Sequence, residues 1–160
     1  MSNDQLDETA TATGRGTGRG TGTHAETPAD VVRGLYAALT AGDVPGVLAR
    51  LAEDVVVDEP RELPYGGVHH GSEAFVHSVL GAMLGYAAVA ITDADVFEGP
   101  AGVVGRLTGT LTAHGTGEEF PLTMVEAHDV EGGLVRRIEV FTKDPTELAA
   151  FYARAEAGQR

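Results

Sequence analysis

Apolar residues recur at helical spacing through the first half of the segment that is expected to fold. One helix is predicted from Thr27-Pro28-Ala29-Asp30, which offers a capping hydroxyl, a proline in the first turn and an early carboxylate. Ala41-Gly42-Asp43 ends this helix and supplies Asp43 as the cap of a second, short one. Ser72 is the predicted cap of a third helix, in which Phe75 and Val79 share a face. The pattern therefore predicts three helices in this part of the chain.

Strand-like segments fill most of the remainder. Val55 to Val57, stopped by Pro60, predicts a first strand, and a terminal helix is expected to begin at Asp144. Between them, Gly-rich links separate four longer strand segments, which favours antiparallel neighbours. These segments are residues 87–97, 102–113, 118–130 and 134–142. The order ααβαββββα predicts an α+β domain whose sheet curls over the early helices.

The chain length and local composition predict one domain with two tails. A chain of 160 residues suits a single core. Residues 1–26 are built mainly from Thr, Gly, Ala, Asp and Glu and contain the repeat TGRGTGRGTGT, so we expect a flexible tail. The domain is expected over residues 27–152, and residues 153–160 are expected to form a C-terminal tail.

Composition excludes several classes of function. The chain has no cysteine, which rules out disulfides and a thiol nucleophile and fits a reducing cytoplasm. Its net charge of -13 repels phosphate backbones, so nucleic acid is not expected as a partner. No apolar run approaches the ~20 residues of a membrane span. No Gly-rich phosphate loop, nucleophile elbow or cofactor fingerprint is present, so any reaction is expected to need no cofactor.

Three segments resemble the NTF2-like superfamily, which includes ketosteroid isomerase and the SnoaL-related polyketide cyclases. They are LYAALTAGD at residues 35–43, LAEDVVVDEP at 51–60 and GGLVRRIEV at 132–140. The resemblance implies an NTF2-like cone, in which a curved antiparallel sheet wraps around the N-terminal helices and encloses an internal pocket. It also implies homodimers that pair through the sheet. Because this scaffold hosts many reactions and plain binding modules, the chemistry must be argued from residues.

Glu59 is the first candidate catalytic residue. Strand alternation places it on the face of Val55 and Val57, so an apolar row ends in a carboxylate. If this row faces the pocket, burial raises the pKa of Glu59 toward the range useful for proton transfer. Glu59 also matches the general-base position in the resemblance to ketosteroid isomerase. The alternative is an exposed and idle residue at the strand end.

Glu126 is the second candidate, on a face that also carries Met124 and His128. The resemblance places Glu126 at the protonated acid of the isomerase oxyanion hole, where it would donate a hydrogen bond to developing charge. The alternative is a structural carboxylate tied to His128 or to an arginine. His128 is expected at the pocket mouth or in the hairpin rather than as an acid or base. Val140 is expected in the pocket row of the last strand.

The tyrosines depart from the isomerase pattern. Leu35 stands where the family keeps its oxyanion-hole tyrosine, and Tyr36 is rotated by about 100 degrees around the helix. Tyr36 is therefore expected to line the pocket without inheriting that role. Tyr65 lies in the loop after the first strand and would supply a phenol if the loop folds over the pocket. The alternative for Tyr65 is a packed loop aromatic.

The histidines do not predict a metal centre. His69 and His70 are adjacent on an extended segment and point in opposite directions, and no acidic residue lies at a matching spacing. His69 and His77 are instead expected to be polar groups that contact a substrate.

These features lead to one main hypothesis and two alternatives. The main one is an enzyme of natural-product biosynthesis that cyclises or isomerises a hydrophobic polyketide-type intermediate, with Glu59 moving a proton and Glu126 acting on an oxygen. An epoxide hydrolase with paired carboxylates is the nearest alternative, although Arg106 is followed by Thr108 where limonene epoxide hydrolase has an aspartate. A binding module that only holds an apolar ligand is the third.

Overall fold

The first helices begin and end at the residues that the sequence indicates. The structure is a computed structural model that describes residues 25–160, so the predicted N-terminal tail lies almost entirely outside the described residues. Helix α1 (Pro28–Ala41) starts with a capping box between Thr27 and Asp30. It ends at Gly42, whose φ of 66° is a left-handed conformation that favours glycine. Helix α2 (Val44–Arg50) is capped by the carboxylate of Asp43.

Six strands form one curved and unclosed sheet. The strands are β1 (Leu51–Glu59), β2 (Gly67–His70), β3 (Ala87–Gly99), β4 (Gly102–Ala113), β5 (Glu119–Glu131) and β6 (Leu134–Thr142). Their order in the sheet is β2-β1-β6-β5-β4-β3. The four long strands confirm the predicted meander, and two of them have the predicted bounds. All pairs are antiparallel except β1 with β6, which run parallel.

The short strand β2 was not predicted. Its residues are GVHH, and the one large apolar residue among them, Val68, is exposed. An apolar alternation arises only where one face of a strand is buried, so this segment carries no such pattern. The strand forms because β1 offers an antiparallel partner, with Glu59 opposite Gly67 and Val57 opposite His69.

The third helix differs in detail from the expectation. It comprises α3 (Ser72–Ala74), a π-helical segment (Phe75–Leu80) and α4 (Gly81–Tyr86). Gly71 occupies the cap position and makes no side-chain bond there, so Ser72 is the first helical residue rather than the cap. Phe75 and Val79 are buried on one face, as the spacing predicts.

The terminal helix packs on the sheet beyond its expected end. Helix α5 (Pro145–Ala157) buries Phe151 and Tyr152, and Ala155 is also fully buried. Arg154 forms a bidentate ion pair with Glu118, the residue just before β5. Residues 153–157 are thus part of this helix, not of a C-terminal tail. Within residues 25–160, no helix is long and apolar enough to cross a membrane.

Candidate functional site

Glu59 and Glu126 lie in one row across the concave face of the sheet. Asp58 of β1 pairs with Glu139 of β6, which sets Glu59 beside Val140. Val140 is the partner of Glu126 on β5. Because adjacent strands are about 4.8 Å apart, the two glutamates are separated by two strand spacings, about 10 Å between backbones. The row faces the helices, and its Val140 is buried.

Glu59 is a buried carboxyl at the end of β1. Only 6% of its surface is exposed, which excludes the alternative of a solvated strand end. Burial, together with the smaller effects of the negative charges of Glu126 and Asp58, raises the pKa of Glu59 to about 8. Such a carboxyl exchanges its proton near neutral pH, which is the property a general base or acid requires.

Tyr36, Glu126 and His128 form a compact polar triangle. The Tyr36 hydroxyl donates to Glu126 Oε2 over 2.8 Å and also lies 2.8 Å from His128 Nε2. His128 Nε2 is 3.3 Å from the same carboxylate oxygen. Burial and the adjacent Glu126 charge raise the pKa of Tyr36 far above its usual value, so it stays a phenol.

Proton counting assigns the tautomer of His128. A phenol has one proton, so a Tyr36 hydroxyl that donates to Glu126 accepts from His128 Nε2–H. The other ring nitrogen, Nδ1, is buried without a hydrogen-bond partner among the described residues. With the proton on Nε2, Nδ1 is left as a lone pair rather than as a buried unpaired N–H. His128 is thus built into the interior cluster rather than at the pocket mouth or in the hairpin turn.

Tyr36 reaches the sheet although it is rotated by about 100 degrees from Leu35 around the helix. Leu35 is fully buried, and Tyr36 is buried beside it with its hydroxyl on the sheet. The apolar stripe of a core-facing helix is at least about 100 degrees wide, so neighbouring residues at its two edges both reach the sheet. Tyr36 therefore meets Glu126 even though Leu35 stands at the aligned position. The signal was present in the sequence, since Val32, Tyr36 and Leu39 follow helical spacing.

Gly105 makes room for the Tyr36 ring and was not identified from the sequence. It pairs with Glu126 on the neighbouring strand. A Cβ at Gly105 would lie 1.7 Å from Tyr36 Oη and 2.6 Å from its Cζ, so any side chain there would displace the phenol. A glycine inside a strand is a known sign of close approach.

A second buried hydroxyl cluster lies beside Glu59. The hydroxyls of Tyr65 and Tyr152 are 3.0 Å apart, and both rings are buried. Burial raises the pKa of both phenols, that of Tyr152 to about 12, and the charge of Glu59 acts in the same direction. The loop thus carries Tyr65 inward. Tyr152 was not identified as a site residue from the sequence, because nothing local distinguishes a site tyrosine from a core aromatic.

The remaining candidate residues divide into two groups. Val140 and the partly buried Met124 lie on the concave face with Glu126. The partly buried His69 has Nε2 2.7 Å from the Tyr65 carbonyl and so positions the loop. His77 contradicts the expectation: its side chain is 77% exposed and contacts Glu73 on the helix surface. Within residues 25–160, no three His, Asp or Glu side chains are grouped to hold a metal ion.

Two open depressions border residues of the site. One, of about 410 Å³, lies between α1 and β3, with Tyr36, Ala37 and Val96 among its lining residues. The other, of about 290 Å³, is lined by Glu59, Val140 and Pro145 among others. Tyr36 and Glu59 therefore each border a surface from which a ligand can approach.

A family model for the SnoaL-like domain matches residues 32–138 and confirms the resemblance of the sequence. The matched range contains Tyr36, Glu59, Glu126 and His128, and it ends before Tyr152. A comparison with curated proteins finds no match.

Solved structures confirm the fold. An NTF2-like protein from Burkholderia thailandensis is 21% identical and superposes with a TM-score of 0.69, covering 81% of this chain and 97% of its own. A protein from Xanthomonas campestris pv. campestris, provisionally named a polyketide cyclase, is 25% identical with a TM-score of 0.66, covering 78% and 96%. An NTF2-like protein of unknown function from Burkholderia pseudomallei is 29% identical with a TM-score of 0.65 and the same coverage.

Replacing Gly105 by alanine should disrupt the Tyr36 triangle. The added Cβ displaces the phenol, and we expect the free energy of unfolding to fall by roughly 1–3 kcal/mol, the usual cost of overpacking. Urea denaturation measures the loss. Gly99→Ala is the matched control, because a Cβ at this β3 position meets nothing within 4 Å. Equal stability of the two variants would contradict the packing described here.

The buried carboxyl of Glu59 should make stability depend on pH. The unfolded chain releases this proton near pH 4.5 and the folded chain near pH 8, so the free energy of unfolding falls as pH rises through that window. At about 1.4 kcal/mol per pKa unit, the fall is on the order of 5 kcal/mol. Urea denaturation across the window should show this loss in the wild type and not in Glu59→Gln. The exposed Glu53→Gln should follow the wild type; parallel curves for all three proteins would refute the assignment.

Proposed function

We propose that this chain, which belongs to the SnoaL-like domain family, is an acid/base enzyme of natural-product biosynthesis that cyclises or isomerises a hydrophobic polyketide-type intermediate. The observation that carries the proposal is the buried Glu59 carboxyl, which faces the same side of the sheet as the Tyr36, Glu126 and His128 triangle. A buried carboxyl lowers the stability of the fold. Proton transfer is a function that requires such a carboxyl and so explains why it is buried there.

The proposed reaction begins at a carbon next to a carbonyl group. Glu59 in its ionised form removes a proton from this carbon, and the C–H electrons form an enolate. The Tyr36 phenol stabilises the enolate oxygen by turning its one proton from Glu126 to that oxygen, while His128 Nε2–H continues to donate to the phenol oxygen. In an isomerisation, Glu59 returns the proton to a different carbon. In a cyclisation, the enolate carbon attacks a second carbonyl, whose oxygen takes up the proton. Either sequence balances without a redox partner.

The surroundings of the row suit an apolar and flexible substrate. The depression at Tyr36 is walled by Ala37, Ala94 and Val96, and that at Glu59 by Val140 and Pro145. Apolar walls with a few convergent polar groups are typical of small-molecule sites. Holding a flexible chain in a folded conformation lowers the entropy cost of ring closure. The apolar walls thus hold the substrate in a folded conformation, and the carboxyl groups of the row transfer the protons.

An epoxide-opening reaction is the second candidate, and the charge coupling between Glu59 and Glu126 favours it. Two carboxyls in one poorly solvated row disfavour double ionisation, so one holds a proton while the other is charged. The protonated member can donate to an epoxide oxygen while the charged one activates a water or an internal hydroxyl. Arg106 takes no part, because it is exposed and its β5 partner, Val125, is exposed as well.

Glu59→Gln should abolish turnover while the protein stays folded. The amide cannot accept a proton, and we expect kcat to fall at least about 100-fold, as for loss of a general base. The source strain carrying this variant should accumulate an uncyclised or unrearranged intermediate, identified by mass spectrometry and NMR. That compound, given to the purified wild type, should react with kcat/KM rising with pH toward about 8, where Glu59 ionises.

The exposed Glu53→Gln variant on the same strand is the control and should turn over normally. An unchanged product profile with Glu59→Gln would remove Glu59 from the mechanism and favour a module that binds without conversion. Incorporation of labelled water at a former epoxide carbon would instead identify the epoxide-opening reaction.

We also propose that the chain forms a homodimer through the outer face of the sheet. Four large apolar side chains are exposed on four consecutive strands of this face: Phe97, Val104, Val125 and Phe141. Phe97 pairs with Val104 and Val125 pairs with Phe141, so they form two adjacent cross-strand pairs. Apolar groups clustered in this way are typical of surfaces that are covered in the assembled state.

Phe141→Asp should weaken the dimer and leave the fold intact. A charge at the centre of an apolar interface is costly to bury, so we expect the dimer dissociation constant to rise at least about tenfold. Sedimentation equilibrium measures it. Leu84→Asp is the control, since Leu84 is equally exposed on α4, away from the sheet. A wild type that is monomeric throughout, or a Phe141→Asp protein that dimerises as tightly as the wild type, would overturn the proposal.

A further inference from the structure

The Tyr65 and Tyr152 hydroxyls are brought together by elements that are distant in the chain. Tyr65 belongs to the loop that joins the end of β1 to β2, and Tyr152 belongs to helix α5. Their oxygens are 3.0 Å apart, and their rings meet edge to face at a centroid distance of 5.5 Å. Both side chains are almost completely buried. The pair is thus a fixed interior feature rather than a surface contact.

The loop that carries Tyr65 is held tightly against the end of β1. Backbone bonds link Leu63 N to Pro60 O and Gly66 N to Leu63 O. A Cβ at Gly66 would lie 2.3 Å from the Pro60 carbonyl oxygen, so the chain passes too closely there for any side chain. The next residue, Gly67, pairs with Glu59. These contacts fix the loop at the end of β1, and the charge of Glu59 lies close enough to raise the pKa of both Tyr65 and Tyr152.

The hydrogen-bond count of the pair leaves one donor unused. Two phenols have two protons, and a single bond between their oxygens uses one of them. Within residues 25–160, neither hydroxyl makes a hydrogen bond except to the other. Both phenols stay protonated at neutral pH, because burial raises the pKa of each. A buried O–H without an acceptor costs free energy, and a ligand oxygen would remove that cost.

We infer that Tyr65 and Tyr152 form a second oxygen-binding subsite, which takes a carbonyl or hydroxyl oxygen of the substrate beside Glu59. The first oxygen site is the triangle of Tyr36, Glu126 and His128, two strands away along the row. This inference rests on the proposed function and deepens it. The substrate class it implies is an apolar molecule with at least two oxygen functions at separated positions.

The subsite also suggests how ring closure is directed. The enolate oxygen lies at the Tyr36 triangle, and the phenol pair holds the oxygen of the second carbonyl beside Glu59. The enolate carbon attacks this second carbonyl, and the oxygen of that carbonyl takes up the proton that Glu59 removed. Two oxygen sites at the two ends of one row thereby select which carbons join. A single site would leave the other end of a flexible chain unplaced.

Binding of two rigid ketones tests the subsite. The probes are 2-acetylnaphthalene, with one carbonyl, and 2,6-diacetylnaphthalene, with carbonyls at opposite ends. We expect the wild type to bind the diketone about tenfold more tightly, the ratio that one hydrogen bond of about 1.4 kcal/mol produces. The double variant Tyr65→Phe/Tyr152→Phe keeps both rings and has no hydroxyl at the subsite, so it should bind the two ketones equally. Fluorescence titration or calorimetry measures the dissociation constants.

The single variants and a neighbouring tyrosine provide the controls. Tyr65→Phe and Tyr152→Phe each leave one hydroxyl with a free proton, so each should keep part of the preference for the diketone. Tyr86→Phe should keep the whole preference for the diketone. The Tyr86 ring packs on Tyr152 at a centroid distance of 5.6 Å, but the Tyr86 hydroxyl takes no part in the hydrogen bond between Tyr65 and Tyr152. A diketone preference that survives in the double variant, a wild type without the preference, or no binding of either ketone would overturn the inference.

The test separates this inference from the proposed reaction. It measures binding without turnover, so a normal product profile in Glu59→Gln would refute the catalytic proposal and leave the two-oxygen subsite standing. Loss of turnover in Glu59→Gln together with an unaltered diketone preference in the double variant would support the catalytic proposal and refute the two-oxygen subsite.

Discussion

Removal of the Glu59 carboxyl from water is the constraint on which the site depends. The sheet curves so that β1 ends inside the concave face, under a loop and a terminal helix that exclude solvent. In that environment the charged form is disfavoured, and the nearby charges of Glu126 and Asp58 disfavour it further. A carboxyl of ordinary acidity is thereby converted into one that titrates near neutral pH. The same burial keeps the phenols around it protonated.

The polar groups of the interior are organised as two clusters rather than one network. At one end, Tyr36 bridges Glu126 and His128 with nearly every donor and acceptor matched. At the other end, the Tyr65 and Tyr152 hydroxyls share one hydrogen bond, and the second hydroxyl proton has no acceptor among the described residues. A buried donor without an acceptor is rarer in folded proteins than a buried lone pair such as that of His128 Nδ1, so the phenol proton without an acceptor marks a place where a ligand would complete the bonding. The Tyr36 cluster is therefore preorganised by its own hydrogen bonds, whereas the Tyr65 and Tyr152 pair can still donate a hydrogen bond to a ligand.

Local patterns were sufficient for most of the fold. The capping residues Thr27 and Asp43, the Gly-rich links and the period of the long strands predicted element bounds to within about two residues, since each depends on neighbours in sequence. The strand β2 and residues 153–157 of α5 were not predicted, because their stability comes from pairing with β1 and from burial of Ala155 on the core. The site was partly predictable for the same reason. Strand alternation placed Glu59 and Glu126 on their faces, and the face of each residue follows from the period alone.

The sequence by itself determined the α+β class, the order of the elements apart from β2, and the two carboxylates, because caps, turns and periodicity act over a few residues. Only the tertiary structure decided which side chains meet. Tyr36 rather than Leu35 reaches Glu126 because Gly105, about 70 residues away, leaves space for a ring. Tyr152 joins Tyr65, and His77 turns outward, because of how helices lie across a curved sheet. Contacts of this kind join residues far apart in the chain, and no local pattern of one sequence encodes their distances.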